Sequence, residues 1–221
     1  MWCIPTVNEE FIDRMEHLLT LYAKPYDAKE PLLCFDEKSK QLLKDTRPVK
    51  HTRAGRVRQR DYEYERNGTK NIFMAVEPKG GWRAVTVTAR RTKIDFAHRM
   101  KQLIELPRYA HASQIHIVLD NLNTHFASSL IEAFGTRKAK RILKRITFHY
   151  TPKHASWLNM AEIELSILSR QALAGRIPTE NALKRRVARW QRRRNKKSAM
   201  IQWKFTKEDA RRIFKYEKLG N

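Results

Sequence analysis

Apolar residues recur along this chain in two spacings, one typical of amphipathic helices and the other of buried strands. Phe11, Met15 and Leu18 lie at helical spacing after Asn8, a residue that can cap a helix N-terminus. Such spacing predicts helices over 8–21, 92–106 and 125–134. Short apolar runs predict strands instead, over 31–36, 71–76, 82–88, 115–119 and 146–150.

Two segments nearer the C-terminal end predict helices of different kinds. Residues 157–168 are largely apolar, too long for an ordinary strand and free of Gly and Pro, which predicts a mostly buried helix. Leu183, Val187 and Trp190 form a thin apolar stripe at helical spacing beside the basic run 184–197. That pattern predicts a helix with one buried stripe and a very basic outer face.

The order of these elements predicts the fold class. Residues 77–81 contain a Pro and paired Gly residues that suit a chain reversal between two strands, and 38–43 can continue the first strand. Three strands followed by alternating helices and strands predict an α/β fold, a mixed five-stranded sheet flanked by helices. The predicted division is an N-terminal helix and connector over 1–30, the α/β domain over 31–172 and a basic C-terminal helical extension over 173–221.

Three acidic residues occupy unlike positions in this order. Asp36 and Asp120 each end a strand-like run, and Glu162 lies in the predicted buried helix. Two carboxylates about 4 Å apart repel by about 4 kcal/mol at an effective dielectric near 20, so a cluster of three requires a cation. Mg²⁺, for which Mn²⁺ can substitute, prefers such oxygen ligands. Two such ions about 4 Å apart support phosphoryl transfer on nucleic acid.

Each acid also has a simpler interpretation. Asp36 or Asp120 could form a turn or cap a helix, and Glu162 could reach solvent or a basic neighbour. Glu164 points in a different direction from Glu162, but the apolar residues around them are too continuous for periodicity to choose between the two. Glu37 is expected to face the side of the sheet opposite to Asp36 and is left out of the site.

The charge of the chain favours a polyanionic partner. There are 46 Lys and Arg against 23 Asp and Glu, a formal net charge of +23, and the basic residues are clustered in 47–60, 137–145 and 184–197. A solvated helix face, a disordered tail and a membrane-surface helix are the alternatives. Nucleic acid is favoured because all three runs share one sign and no membrane signature accompanies them.

Other features restrict the class of protein further. No stretch approaches the roughly 18 apolar residues of a membrane span, and the N-terminus lacks the pattern of a signal peptide. With only Cys3 and Cys34 there is no disulfide framework, and the eight His show no zinc-ligand spacing with them. A reducing cytoplasm is the expected compartment, and neither a membrane nor a small-molecule substrate is indicated.

Three sequence blocks resemble those of a known family. The blocks 34–41, 119–125 and 151–162 each contain one of the three acids. They look like the signature blocks of DDE transposases from the bacterial insertion-sequence branch of the mariner superfamily, and 203–212 looks like the family's closing segment. The match of the third block chooses Glu162 over Glu164.

The resemblance implies a ribonuclease H-like fold and a metal-dependent DNA endonuclease and strand-transferase. Asp36, Asp120 and Glu162 would be the catalytic and metal-binding residues, holding two Mg²⁺ ions. The partners would be the terminal inverted repeats of an element and a target DNA, typically cut at TA, with a homodimer holding two ends. A prokaryotic, nucleoid-associated location in the cytoplasm follows.

Several residues are candidates for DNA contacts. Asn121 and His125 follow Asp120 closely and the family has similar residues there, although a helix cap and a surface His are equally good interpretations. Trp157 could stack on a displaced base, but a core position is the commoner case. The predicted DNA-binding residues are Arg53, Arg56, Arg58, Asn121, His125, Lys153, His154, Arg185, Arg189 and Arg193.

One departure from the family leaves rival hypotheses open. Relatives usually carry paired helix-turn-helix modules before the catalytic domain, whereas about thirty residues precede the first strand here. The chain could therefore be the catalytic half of a split element. The rivals are a non-catalytic DNA-binding protein derived from a transposase and a junction-resolving nuclease of the same fold.

Overall fold

A mixed five-stranded sheet forms the centre of the computed structural model, which describes residues 7–57, 59–122 and 124–216. The strands are β1 (Leu32–Asp45), β2 (Tyr64–Glu77), β3 (Trp82–Thr88), β4 (Ile115–Leu119) and β5 (Ile146–Tyr150). Their order is β3-β2-β1-β4-β5, with β1, β2 and β3 antiparallel and β1, β4 and β5 parallel. The predicted α/β class and five-stranded mixed sheet are confirmed.

Helices cover both faces of this sheet. They are α1 (Glu9–Ala23), α2 (Lys93–Ile104), α3 (Ala127–Leu143), α4 (Met160–Gln171), α5 (Glu180–Lys196) and α6 (Lys207–Phe214). The predicted cap of α1 is confirmed, since the Asn8 side chain accepts a hydrogen bond from the Phe11 N–H. No helix among the described residues is long and apolar enough to cross a membrane.

The helix predicted over 125–134 begins two residues later than predicted, and its predicted end lies directly before a break in helical geometry at Gly135. It begins at Ala127, after Phe126 in extended conformation, and runs to Leu143 with non-helical geometry at Gly135, whose φ is 73°. Gly tolerates that positive φ, and a second helical segment follows the kink through most of the basic run 137–145. The basic residues therefore lie on a helix, and His125 lies in the loop before it.

Alternate residues of β1 divide the core into two sides. Leu33 and Phe35 pack with α2 and α3 in one cluster, whereas Cys34 packs with α1 and the start of α4 in another. A third cluster joins α4 and α5 to β2. Because side chains alternate along a strand, Asp36 belongs to the side of α4 and Glu37 to the side of α3.

The first strand extends well beyond Asp36. The 14-residue strand β1 continues to Asp45, so the expected continuation over 38–43 is confirmed and the placement of Asp36 at a strand end is wrong. Asp36 is instead paired with Met74 in the antiparallel ladder with β2. The basic loop 46–63 connects the distal ends of these strands. The structure describes Arg53 and Arg56 there, as exposed residues, and Arg58 lies outside the described residues.

Helix α5 protects the open edge of the sheet. The Asn195 side chain accepts from the Arg83 N–H at 2.9 Å and donates to the Arg83 carbonyl at 2.8 Å, and the Gln191 side chain accepts from the Val85 N–H at 2.8 Å. These bonds satisfy backbone groups of β3 that would otherwise be free to pair with another strand. The predicted stripe of Leu183, Val187 and Trp190 is buried, as expected.

Candidate active site

Strand register brings the first two acids to adjacent positions. The parallel pairing of β1 with β4 ends at Cys34 and Val118, two residues before Asp36 and Asp120 respectively. Equal offsets from a parallel pair place both acids at the same level of the sheet. Asp36 and Asp120 therefore come from neighbouring strands, although only Asp120 lies beyond the end of its strand.

The surroundings of Asp36 disfavour an isolated negative charge. Burial raises the pKa of Asp36 to about 7 against the lowering effect of a hydrogen bond from the Glu37 N–H, and the charges of Asp120, Glu37 and Glu162 add to the rise. That hydrogen bond measures 2.7 Å. A bound cation would offset both the repulsion from the neighbouring acids and the cost of burying this charged carboxylate.

The third acid and its neighbour have different environments. Glu162 lies in the first turn of α4 with its side chain exposed, and its charge acts on Asp36. Glu164 is completely buried and accepts hydrogen bonds from Arg83 Nε at 3.0 Å and Arg83 Nη2 at 2.8 Å. Glu164 is thus already neutralised by a guanidinium, and Glu162 is the acid of this pair that is available to a ligand.

A buried amide ties α4 to the strand that carries Asp36. Asn159 is 1% exposed, and its side chain caps α4 by accepting from the Ala161 N–H. Its amide also donates to the carbonyl of Phe35, the residue before Asp36, at 2.9 Å. Sequence reasoning did not single out Asn159, although Asn directly before a helix is a recognisable capping signal.

A histidine connects Glu37 to Asp120. His125 Nδ1 lies 2.6 Å from Asp120 Oδ1, and His125 Nε2 lies 2.9 Å from Glu37 Oε2. Although burial lowers the pKa of His125, these two carboxylates raise it to about 9. The bond from His125 also contributes to a lowered pKa of Asp120, against the opposing effect of burial. The imidazolium thus holds Asp120 in its charged form.

This arrangement corrects two interpretations of the sequence. His125 is 0% exposed, so it is not the surface histidine of the simpler interpretation, and its contact with DNA stays a prediction. Glu37 was left out of the site because it faces the other side of the sheet, but that is the side from which His125 reaches Asp120. The distance in sequence between 37 and 125 concealed the connection.

A comparison with protein-family models identifies the family of this chain. Residues 31–184, well over half of the chain, match the model described as DDE superfamily endonuclease. The chain belongs to the DDE superfamily endonucleases. Its match begins at the first residue of the predicted 31–172 domain and ends beyond it; the three-part division stays a prediction. A comparison with curated proteins found no match.

Solved structures similar to this DDE superfamily member share its fold. They include the Mos1 mariner paired end complex with Mn, with a TM-score of 0.58 and 14% identity over 87% of this chain. A pre-cleavage Mos1 transpososome has a TM-score of 0.55 and 14% identity over 90%, and the paired end complex with Mg has 0.54 and 15% over 90%. This chain spans 58%, 64% and 59% of those chains respectively. The ribonuclease H-like class is thereby shown.

The side chains of this DDE superfamily site carry the type of donor atom that a hard divalent cation prefers. Asp36, Asp120 and Glu162 offer carboxylate oxygens, the donors that Mg²⁺ and Mn²⁺ prefer, and the raised pKa of Asp36 marks an uncompensated negative site. Among the described residues no group of three or more His, Cys, Asp or Glu side chains is already arranged to hold a metal ion.

The other predicted DNA-binding residues lie on three surfaces. Asn121 accepts from Arg14 at 2.9 Å and donates to the Thr151 carbonyl, so it anchors the loop rather than capping a helix.

Lys153 and His154 are exposed beside Arg14 in a groove of about 220 Å³ between α1 and the 152–154 loop. Arg185, Arg189 and Arg193 are exposed on α5, and Arg53 and Arg56 lie in the loop between β1 and β2. Arg14 was not predicted.

Proposed function

We propose that this chain is the catalytic domain of a transposase, which cleaves DNA at the ends of an element and joins those ends to target DNA, typically at TA. The observation that carries the proposal is the equal offset of Asp36 and Asp120 from a parallel strand pair, within a DDE superfamily match. Glu162, whose charge acts on Asp36 from the first turn of α4, completes the set.

Asp36, Asp120 and Glu162 are the residues that would hold the metal, two Mg²⁺ ions, with Mn²⁺ as a substitute. When bound, such ions lower the pKa of an attacking water or 3′-hydroxyl and stabilise the leaving oxygen of a phosphodiester. The Mos1 structures with Mn and with Mg support divalent-metal use in this fold.

The remaining site residues hold the acids and the substrate. His125, braced by Glu37, keeps Asp120 ionised and fixes the orientation of its carboxylate. Asn159 fixes the start of α4 relative to Asp36. Lys153, His154 and the arginines of α5 would position DNA strands through phosphates, which orients the substrate without reading its sequence.

The partners of this domain follow from the same proposal. The paired-end organisation named for Mos1 supports a homodimer that holds two element ends. This chain spans less than two thirds of those chains, and we propose that a helix-turn-helix part recognises the terminal repeats. We propose that the protein is prokaryotic and is associated with the nucleoid in the cytoplasm. Its proposed parts are the N-terminal helix and connector over 1–30, the catalytic domain over 31–172 and the basic helical extension over 173–221.

Mn²⁺-dependent nicking of supercoiled plasmid tests the proposal. We expect the wild-type chain to nick, and Asp120→Asn to reduce nicking by at least about 100-fold because one metal-binding oxygen is lost. Asp95→Asn is the matched control, since Asp95 caps α2 and lies outside the site. Equal nicking by wild type and Asp120→Asn would refute the assignment of the acids.

Two further outcomes would identify a different function. Tight DNA binding without nicking in either metal would favour the non-catalytic DNA-binding protein. Preferential cutting of four-way junctions over linear duplexes, with no joining of 3′-hydroxyl ends to plasmid, would favour the junction-resolving nuclease. The transposase proposal predicts joined products with pre-cut element ends.

A further inference from the structure

Glu164 is a completely buried carboxylate near the candidate site. Its side chain and that of its partner Arg83 are both 0% exposed, and Arg194 of α5 contacts the same carboxylate. Burying three charged groups is expensive, and apolar residues of similar size often stabilise a fold as well or better. What ion pairs add over apolar packing is direction, because a forked guanidinium accepts a carboxylate in few orientations.

The direction of Glu164 determines that of Glu162. Successive helical residues are about 100° apart around the axis, so residues two apart point to nearly opposite sides. Ala161 and Leu168, three residues before and four residues after Glu164, are buried on the same side of α4. Pinning Glu164 to Arg83 therefore prevents rotation of α4, and keeps Glu162 exposed on the side from which its charge acts on Asp36.

Three attachments, at Asn159, Glu164 and Gln171, together define the placement of α4. Asn159 bonds to the Phe35 carbonyl and sets the position of the helix start along β1, but a single hydrogen bond leaves rotation about the axis free. Glu164, one turn later, removes that freedom through β3 and α5. At the far end, Gln171 accepts from Trp190 Nε1 at 3.0 Å and from Arg193 at 3.0 Å, which joins α4 to α5 again.

We infer that Glu164, held by Arg83 and Arg194, is a positioning residue that sets the orientation of Glu162 toward the metal site. The inference rests on the proposed function, because it assumes that Glu162 binds the metal. Helix α5 would then have two roles. Its exposed Arg185, Arg189 and Arg193 would bind DNA, and its Arg194 contacts Glu164. DNA bound to α5 would thus be linked to Glu162 through Arg194 and Glu164.

The test compares Mn²⁺ binding, measured by calorimetry, for Glu164→Gln and Glu77→Gln. Glu77 is the matched control: it is 1% exposed and bonded to Arg108 and Tyr109, with no bond to a site residue. We expect Glu164→Gln to weaken Mn²⁺ binding by about 10-fold, as outer-shell substitutions do, and to slow plasmid nicking. Glu77→Gln should keep the wild-type affinity even if it unfolds more easily.

Each other outcome contradicts the inference or separates it from the proposed function. Wild-type Mn²⁺ affinity in Glu164→Gln, or equal weakening in Glu77→Gln, would overturn the positioning role. If Glu164→Gln fails to fold, Arg83→Lys retains the charge without the fork that holds Glu164 and should weaken binding by about 3-fold; an unchanged affinity would again overturn the inference. Glu162→Gln is the final comparison: if it too leaves Mn²⁺ binding unchanged, the proposed metal site itself is wrong.

Discussion

At the scale of the residue, His125 shows how a buried side chain can serve a site through the residues that it contacts. Its two ring nitrogens lie within hydrogen-bond distance of Asp120 and Glu37, which come from different strands. Phe35 and Phe96 contact the ring, which limits its rotation. The imidazolium therefore has one orientation and both its N–H donors are used.

Removing His125 should affect both stability and activity. His125→Ala leaves Glu37 and Asp120 without their shared partner, and we expect a loss of about 3 kcal/mol in the free energy of unfolding, as for other broken buried ion pairs. Plasmid nicking should fall as Asp120 loses its fixed orientation. Urea unfolding measures the first effect; His98→Ala, at an exposed histidine of α2, is the control and should change stability by less than about 0.5 kcal/mol.

A small loss in His125→Ala, equal to that of the control, would contradict this account. It would mean that the two carboxylates are solvated in the folded protein rather than dependent on the imidazole. The nicking assay then remains informative, because an orientation effect on Asp120 does not require a large change in stability.

At the scale of the element, three histidines join the N-terminal helix to the sheet. His17 of α1 lies 2.8 Å from His149 of β5, which lies 2.9 Å from His116 of β4. Burial lowers the pKa of His149 to about 4, and the charges of His116, His17 and Lys24 act in the same direction. The pKa of His17 is also lowered, mainly by burial. These side chains favour a neutral chain of hydrogen bonds.

Stability should therefore fall in acid. The folded-state pKa of His149 lies below its unfolded value of about 6.5, so its contribution is complete above that pH and is lost as the pH falls toward 4. We expect a loss of about 2 kcal/mol between pH 7 and pH 4.5 from this residue. Urea unfolding of wild type and His149→Gln at both pH values measures it, because the variant lacks this titration.

Other charged groups near the three histidines do not reverse the expected difference in acid stability between wild type and His149→Gln. Glu30, 3.8 Å from His116, would attract a protonated imidazole there, whereas Lys24 and Lys207 repel one at His17. The comparison of two proteins at the same pH cancels contributions from the rest of the chain. An equal acid loss in wild type and His149→Gln would show that His149 does not titrate as argued.

At the scale of the whole molecule, a net charge of +23 should dominate the affinity for DNA. Engagement of about six phosphates predicts a slope near −5 for the logarithm of the binding constant against that of salt concentration. Replacing Arg185, Arg189 and Arg193 of α5 by Gln should reduce the slope by about 3. Fluorescence anisotropy with a duplex over a range of salt concentrations gives both values.

The same change of charge on another helix is the control. Arg137, Lys140 and Arg141 lie on α3, and their replacement by Gln also removes three positive charges. The prediction of DNA contacts on α5 requires a larger effect from the α5 substitutions. Equal effects from both sets would indicate that overall charge, and not a defined surface, binds the DNA.

The sequence alone predicted most of the elements and the family of the chain. Apolar periodicity predicted α1, α2 and the stripe of α5, because burial of one helical face repeats along the chain. Runs of apolar residues predicted the five strands for the same reason. The three sequence blocks that contain the acids predicted a DDE family member, which the family match confirms.

Only the tertiary structure decided which groups act together at a distance. His125, Glu37 and Asp120 meet because β1 and β4 are neighbours in the sheet, and no local pattern encodes a contact between residues 37 and 125. Arg83 and Arg194 distinguish Glu164 from Glu162, which local periodicity cannot do. Periodicity reports only whether a position is buried, whereas the partner of a buried charge depends on long-range packing.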